Sequence, residues 1–131
     1  MKKAIRGSFD LLSGKIQYLE FGNLEVKRDF GFSKKYVEAM WLMLQQEKPD
    51  DFVICSGRSV YLKDIVSYIF KKLGLPESLM RINPTYFRPT DIVDIYGSSQ
   101  KARDKMGWDY QLDFYEVLDM LIEEERENYG S

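Results

Sequence analysis

Tyr68 and Lys72 stand four residues apart. In the Tyr-x-x-x-Lys spacing a lysine lowers the pKa of a phenol and lets it pass protons. The spacing also recurs by chance on any lysine-rich helix. No Ser or Thr partner and no upstream nucleotide fold accompany it here, so the pair reads as part of a surface helix. Two other segments carry side chains suited to binding. Lys27-Arg28-Asp29-Phe30-Gly31 is expected as a loop between a strand and a helix. Arg88-Pro89-Thr90-Asp91 sets an arginine beside a proline, whose ring limits backbone freedom. A planar guanidinium fork fits a diphosphate, and a carboxylate at Asp91 can accept hydrogen bonds from ribose or hexose hydroxyls. A solvated arginine, or one paired with a nearby acid, fits the same spacing. Trp41 and Tyr86 have rings that could stack on a base or sugar. Trp41 stands on an apolar stripe, however, and is expected in the core, as are Met40, Met43 and Met106.

What is missing narrows the chemistry further. The chain has no histidine and one cysteine, Cys55. Zinc sites of the usual ligand types and Ser-His or Cys-His nucleophile pairs are therefore excluded. An internal disulfide is excluded too, which points to a reducing, cytoplasmic setting. The nine glycines never make the dinucleotide fingerprint, so no complete nicotinamide-cofactor site is expected. The 131 residues suit one domain able to bury a core. With 44% hydrophobic and 31% charged residues, the composition is that of an ordinary globular protein. A net charge of −2 argues against a nucleic-acid partner. No apolar run is long enough to cross a bilayer, and the N-terminus lacks the apolar core of a signal peptide.

The elements that must position these residues follow from periodicity. Residues 3 to 13 read as a helix with Ile5, Phe9 and Leu12 on one face. Residues 16 to 21 read as extended and 22 to 32 as a loop. Val37, Met40, Trp41 and Leu44 follow the i, i+3, i+4, i+7 pattern of a helix after Ser33. Phe52-Val53-Ile54-Cys55 is a continuous apolar run, expected as a strand buried on both faces of a parallel sheet. Leu62, Ile65, Val66, Ile69, Phe70 and Leu73 form a second helical stripe, stopped by Gly74 and Pro76. A short strand at 80 to 84, a loop from Tyr86 to Asp91 and a short helix from Ser99 to Met106 come next. The last helix starts at Asp113, with Glu116 three residues on, and buries Phe114, Val117, Leu118, Leu121 and Ile122. The result is an α/β chain. It reads as incomplete: the first helix has no residue to cap it, and residues 52 to 55 lack strands to join.

Several blocks, taken in order, resemble one family. Gly22 to Phe32 (GNLEVKRDFGF) is similar to the GNL-x-x-x-RDWG segment of GDP-mannose 4,6-dehydratases and runs into YVEAMWLMLQQ from Tyr36 to Gln46. Tyr86 to Asp91 (YFRPTD) resembles the family's YFRPTE, and Ser99 to Trp108 (SQKARDKMGW) its SKAKEKLGW. The resemblance covers nearly all of the chain. It implies the C-terminal, substrate-binding part of an extended short-chain dehydrogenase/reductase, residues 1–131 forming a single truncated domain without the N-terminal Rossmann half. In that family NADP takes a hydride from C4 of GDP-mannose, water leaves across C5 and C6, and the hydride returns to C6. Position by position, the implied substrate contacts are Lys3, Arg28, Arg88 and Asp91. The two arginines would serve the diphosphate or neighbouring hydroxyls, and Asp91 a sugar hydroxyl. The Gly-rich loop and the catalytic Thr/Ser, Tyr, Lys and Glu of the family precede the matched region, so the chain is expected to be catalytically incomplete. A homo-oligomer is implied. Asp91 for Glu, Phe30 for Trp, and Val93 and Ser98 for frequent Asp depart from the pattern and leave the sugar open. Two other readings remain: part of another nucleotide-sugar epimerase or reductase, and a stand-alone interaction module.

Overall fold

A computed structural model describes residues 1–87 and 94–129. The elements are α1 (Lys2–Leu12), β1 (Leu19–Phe21), β2 (Lys27–Asp29), α2 (Ser33–Leu44), β3 (Ser59–Tyr61), α3 (Leu62–Leu73), β4 (Met80–Ile82), β5 (Asp94–Ile95), α4 (Gln100–Met106) and α5 (Phe114–Asn128). Single 3-10 turns at Glu77–Leu79 and Pro84–Tyr86 flank β4. Two small sheets form. In one, β1 pairs parallel with β4, Phe21 opposite Ile82. In the other, β2 lies between antiparallel β3 and parallel β5, so Arg28 faces Val60 on one side and Ile95 on the other.

The main core is a helical sandwich. The α3 stripe buries Ile65, Val66, Ile69 and Phe70, against Ala4, Ile5 and Phe9 of α1 and Leu118 and Ile122 of α5. Each such side chain contributes about 1.5–3 kcal/mol on leaving water, which is why this stripe decides where α1 and α5 lie. Gly74, in left-handed backbone at φ 72°, ends α3 as expected. Asp113 caps α5, its carboxylate accepting from the Glu116 backbone N–H. A second, smaller cluster centres on Ala39, Ala102 and the fully buried Trp108, whose indole donates to the Lys35 carbonyl at 3.0 Å. Gly31 belongs here: a Cβ on it would meet the Tyr36 hydroxyl at 1.9 Å, so only glycine lets that ring close over the turn into α2.

Several expectations need correction. On α1 it is Leu11 that is buried, while Leu12 is exposed. The stretch from 22 to 32 is not all loop, because 27–29 forms the central strand β2, and β3 was not anticipated. Residues 52–55 carry no regular secondary structure, and among the described residues they join no strand ladder. The stripe of α2 does not face the core: Val37, Met40, Trp41 and Leu44 are 58–82% exposed, and the helix buries Ala39 instead. Periodicity shows that a face is apolar; it does not show what covers it.

Candidate functional site

Lys3 projects from the first turn of α1, and its ammonium sits 5.3 Å from the ring centres of both Phe21 and Tyr86. These rings come from β1 and from the 3-10 turn after β4, so the β1–β4 pairing brings them together. The Asn83 N–H donates to the Phe21 carbonyl at 2.8 Å and extends that pairing into the turn. Asn83 also holds the turn locally, its side-chain oxygen accepting from the Thr85 N–H and hydroxyl. Beside Lys3 lies an apolar cavity of about 110 Å³ walled by Phe21, Leu24, Ile65 and Val66. Ligand pockets for whole cofactors enclose roughly 300–1,000 Å³, so this cavity admits a ring at most.

Arg28 lies at the centre of β2, half-buried, with its guanidinium donating to the Lys27 carbonyl at 2.7 Å. The neighbouring Asp29 points to the other side of the strand and gathers two other pieces of chain. Its carboxylate accepts from the Ser56 N–H at 3.0 Å, the Ser56 hydroxyl, the Gly57 N–H at 2.9 Å and the Gly97 N–H at 3.5 Å. Asp29 thus ties the loop before β3 and the loop after β5 to the strand that carries Arg28. Burial first, and then the charge of Asp29, pushes the nearby Tyr36 hydroxyl up to about 12.

Of the four site residues expected from the sequence, the structure describes Lys3 and Arg28. Arg88 and Asp91 lie outside the described residues. Phe87, next to Tyr86, and Asp94, paired beside Lys27, are the described residues on either side of them. Sequence reasoning weighed Tyr86 as a stacking ring but missed Phe21 as its companion under Lys3. It quoted Asp29 in its motif without seeing the carboxylate's role, because the acceptor's partners are 27 to 68 residues away in sequence. The Tyr68–Lys72 pair is structural. Tyr68 donates to Asp119 at 2.6 Å and Lys72 pairs with it at 2.9 Å, clamping α5 on α3. The hydrogen bond to Asp119 pushes the Tyr68 phenol up to about 12, opposite to what a proton-transferring tyrosine needs.

Comparison with known proteins gives three results. The family model for GDP-mannose 4,6 dehydratase matches residues 1–121. Among similar proteins, GDP-mannose 4,6 dehydratase 1 of Arabidopsis thaliana is 40% identical over 110 residues, covering 83% of this chain and 30% of the relative. GDP-mannose 4,6 dehydratase of Drosophila melanogaster is 33% identical over 139 residues, covering 92% and 35%. Among solved structures, RMD from Pseudomonas aeruginosa complexed with NADPH superposes with a TM-score of 0.81 at 18% identity, over 95% of this chain and 41% of that one. DesIV, a dTDP-glucose 4,6-dehydratase from Streptomyces venezuelae with NAD and TYD bound, gives 0.81 at 18%, over 94% and 38%. The chain therefore spans well under half the length of these proteins. Its fold is α/β and corresponds to the C-terminal part of the extended short-chain dehydrogenase/reductase fold.

Proposed function

Because the chain belongs to the GDP-mannose 4,6-dehydratase family, we propose that residues 1–131 act as a single substrate-binding portion of an NADP-dependent enzyme converting GDP-mannose to GDP-4-keto-6-deoxymannose. The observation that carries this reading is the Lys3 arrangement, a cation held over two aromatic rings at a small apolar cavity. A cation complements a diphosphate, and the exposed ring of Tyr86 complements a flat base, while Phe21 is buried beneath the cation. Arg28, fixed on β2, supplies a second cation, and Arg88 and Asp91 complete the set, the arginine on the diphosphate and the carboxylate on a sugar hydroxyl.

NADP is the hydride carrier of the whole enzyme in this reading. The residues described here do not fit it. The long helices start after Met1, Phe32, Tyr61 and Asp113, and none follows the glycine turn that lets a helix N-terminus approach a pyrophosphate. No chemical step is therefore assigned to this chain, and incubating it alone with GDP-mannose and NADP is expected to give no 4-keto product. The reading also places the protein in the cytoplasm and the whole enzyme in a homo-oligomer acting on the GDP precursor used to make GDP-fucose. Cys55 is free, and among the described residues no helix is long and apolar enough to cross a membrane.

Calorimetric titration with GDP-mannose tests the binding role. The chain is expected to bind, and Arg88→Ala to weaken binding by about 1.5–3 kcal/mol, the worth of a hydrogen bond to a charged group. Absence of heat from the unaltered chain, or an Arg88→Ala variant that binds equally well, would overturn it.

A further inference from the structure

Glu20 is a half-buried carboxylate that its neighbours leave partly unused. Side chains alternate along β1: Leu19 and Phe21 are buried, and Glu20 points to the other face. Directly across the ladder stands Arg81, whose charge would suit a cross-strand pair. Arg81 turns elsewhere, its guanidinium lying over the Tyr18 ring at 4.0 Å. Among the described residues no lysine or arginine makes a salt bridge with Glu20. Its Oε2 accepts from the Asn83 side-chain amide at 3.1 Å and, at 3.5 Å, from the Tyr86 hydroxyl, whereas Oε1 accepts from no described residue. Gly22 lets the turn that carries Tyr86 come this close to β1, since a Cβ there would meet the Tyr86 carbonyl oxygen at 3.1 Å. The Tyr86 ring, 54% exposed, therefore has the Lys3 ammonium over it and the Glu20 carboxylate at its hydroxyl tip.

We propose that Glu20 determines base specificity: its carboxylate accepts from the N1–H and the N2 amino group of a guanine stacked on Tyr86, while Lys3 takes the diphosphate. The inference rests on the family reading above and names the residue that reads the base. An ionised carboxylate only accepts, and each of its two oxygens has room for two hydrogen bonds. Oε2 therefore keeps a place beside Asn83, and Oε1 is open. Guanine presents two adjacent N–H donors, which fit both oxygens of one carboxylate. Adenine presents its N1 lone pair at that position, and uracil a single N–H between two carbonyl oxygens, so a carboxylate pairs poorly with either. The exposed ring of Tyr86 favours a flat partner over a sugar. A ligand laid on that ring meets a cation and, at the hydroxyl tip, an acceptor, which matches a nucleotide with an anionic diphosphate and a donor-bearing base. Glu20 is half-buried, so hydrogen bonds to it gain strength from partial exclusion of water.

The test is a calorimetric titration of the chain with GDP, inosine diphosphate and ADP, which share ribose and diphosphate and differ in the base. Inosine keeps the N1–H and lacks the amino group; adenine offers neither donor at that position. GDP is expected to bind about 10-fold tighter than inosine diphosphate and about 100-fold tighter than ADP, the loss of one and of two hydrogen bonds to a charged group. In Glu20→Gln the amide oxygen still accepts from Asn83, so the melting temperature should change little, while the amide N–H can donate to adenine N1. GDP should then weaken by about 10-fold and ADP should bind more tightly, an exchange of preference that misfolding cannot produce. Equal affinity for GDP and ADP in the unaltered chain, or a Glu20→Gln variant with the original preference, would overturn the role of Glu20 and leave diphosphate binding at Lys3 standing. No heat with any of the three nucleotides would overturn the binding reading and this inference with it.

Discussion

Replacing Asp29 with alanine removes one carboxylate and should release two pieces of chain at once. Asp29 accepts two hydrogen bonds from Ser56, one from Gly57 and a longer one from Gly97. A hydrogen bond to a charged group contributes about 1.5–3 kcal/mol when its donor is sheltered. Gly57 is exposed and Ser56 half-buried, so water recovers much of that for the released donors. The net loss expected is about 2–3 kcal/mol, an allowance that discounts the full sum for exposure. For a chain of this size that is a fall in melting temperature of roughly 6–15 °C. Asp29→Asn keeps the shape and one acceptor oxygen and should recover about half of the loss. Urea unfolding at neutral pH reads the free energies directly, with the slope unchanged if only the folded state is affected. An alanine variant within about 0.5 kcal/mol of the unaltered chain, the range of an ordinary surface change, would show that Asp29 does not organise the loops around β2. The same titration with GDP-mannose should then also be insensitive to the substitution, because Arg28 would not depend on its neighbour for position.

Trp108→Ala should cost about 3–5 kcal/mol, since the side chain is 1% exposed and its indole N–H is bonded to Lys35; a chemical-denaturation midpoint close to that of the unaltered chain would contradict the second core cluster. Asp50 gives a pH test. Its carboxylate is held down to about 2 by hydrogen bonds from Lys101, the Asp51 backbone and Lys105. A depressed folded pKa contributes stability that is present above the ordinary value of 3.8 and is lost as pH falls toward about 2. Asp50→Asn should therefore melt lower than the unaltered chain at pH 5 to 7 and converge with it near pH 2, by roughly the end of that titration. A gap that stays constant across thermal melts over this range would refute the assignment.

Local chemistry was legible wherever its cause lay within a few residues. The α3 stripe, the stop at Gly74 and the Asp113 cap of α5 needed only helical periodicity and the geometry of helix ends, and they stand where the sequence puts them. The family was legible too, because blocks such as RDFG and YFRPTD carry it in the residues themselves. The reading of Tyr68 and Lys72 as helix surface also stood, although their shared partner Asp119 lies 51 residues beyond Tyr68.

Long-range pairing had no such local trace. Residues 27–29 look like a charged loop in sequence, and only pairing with β3 and β5 makes them a central strand. The Asp29 cradle and the meeting of Lys3 with Phe21 and Tyr86 likewise depend on chain brought together by the β1–β4 and β2–β5 ladders. The sharpest division falls on α2 and 52–55. Sequence alone determined that both are apolar, because a side chain's affinity for water is its own property. Whether that apolar surface is covered depends on what packs against it, and only the tertiary structure decided that Trp41, Val53 and their neighbours stand in the open.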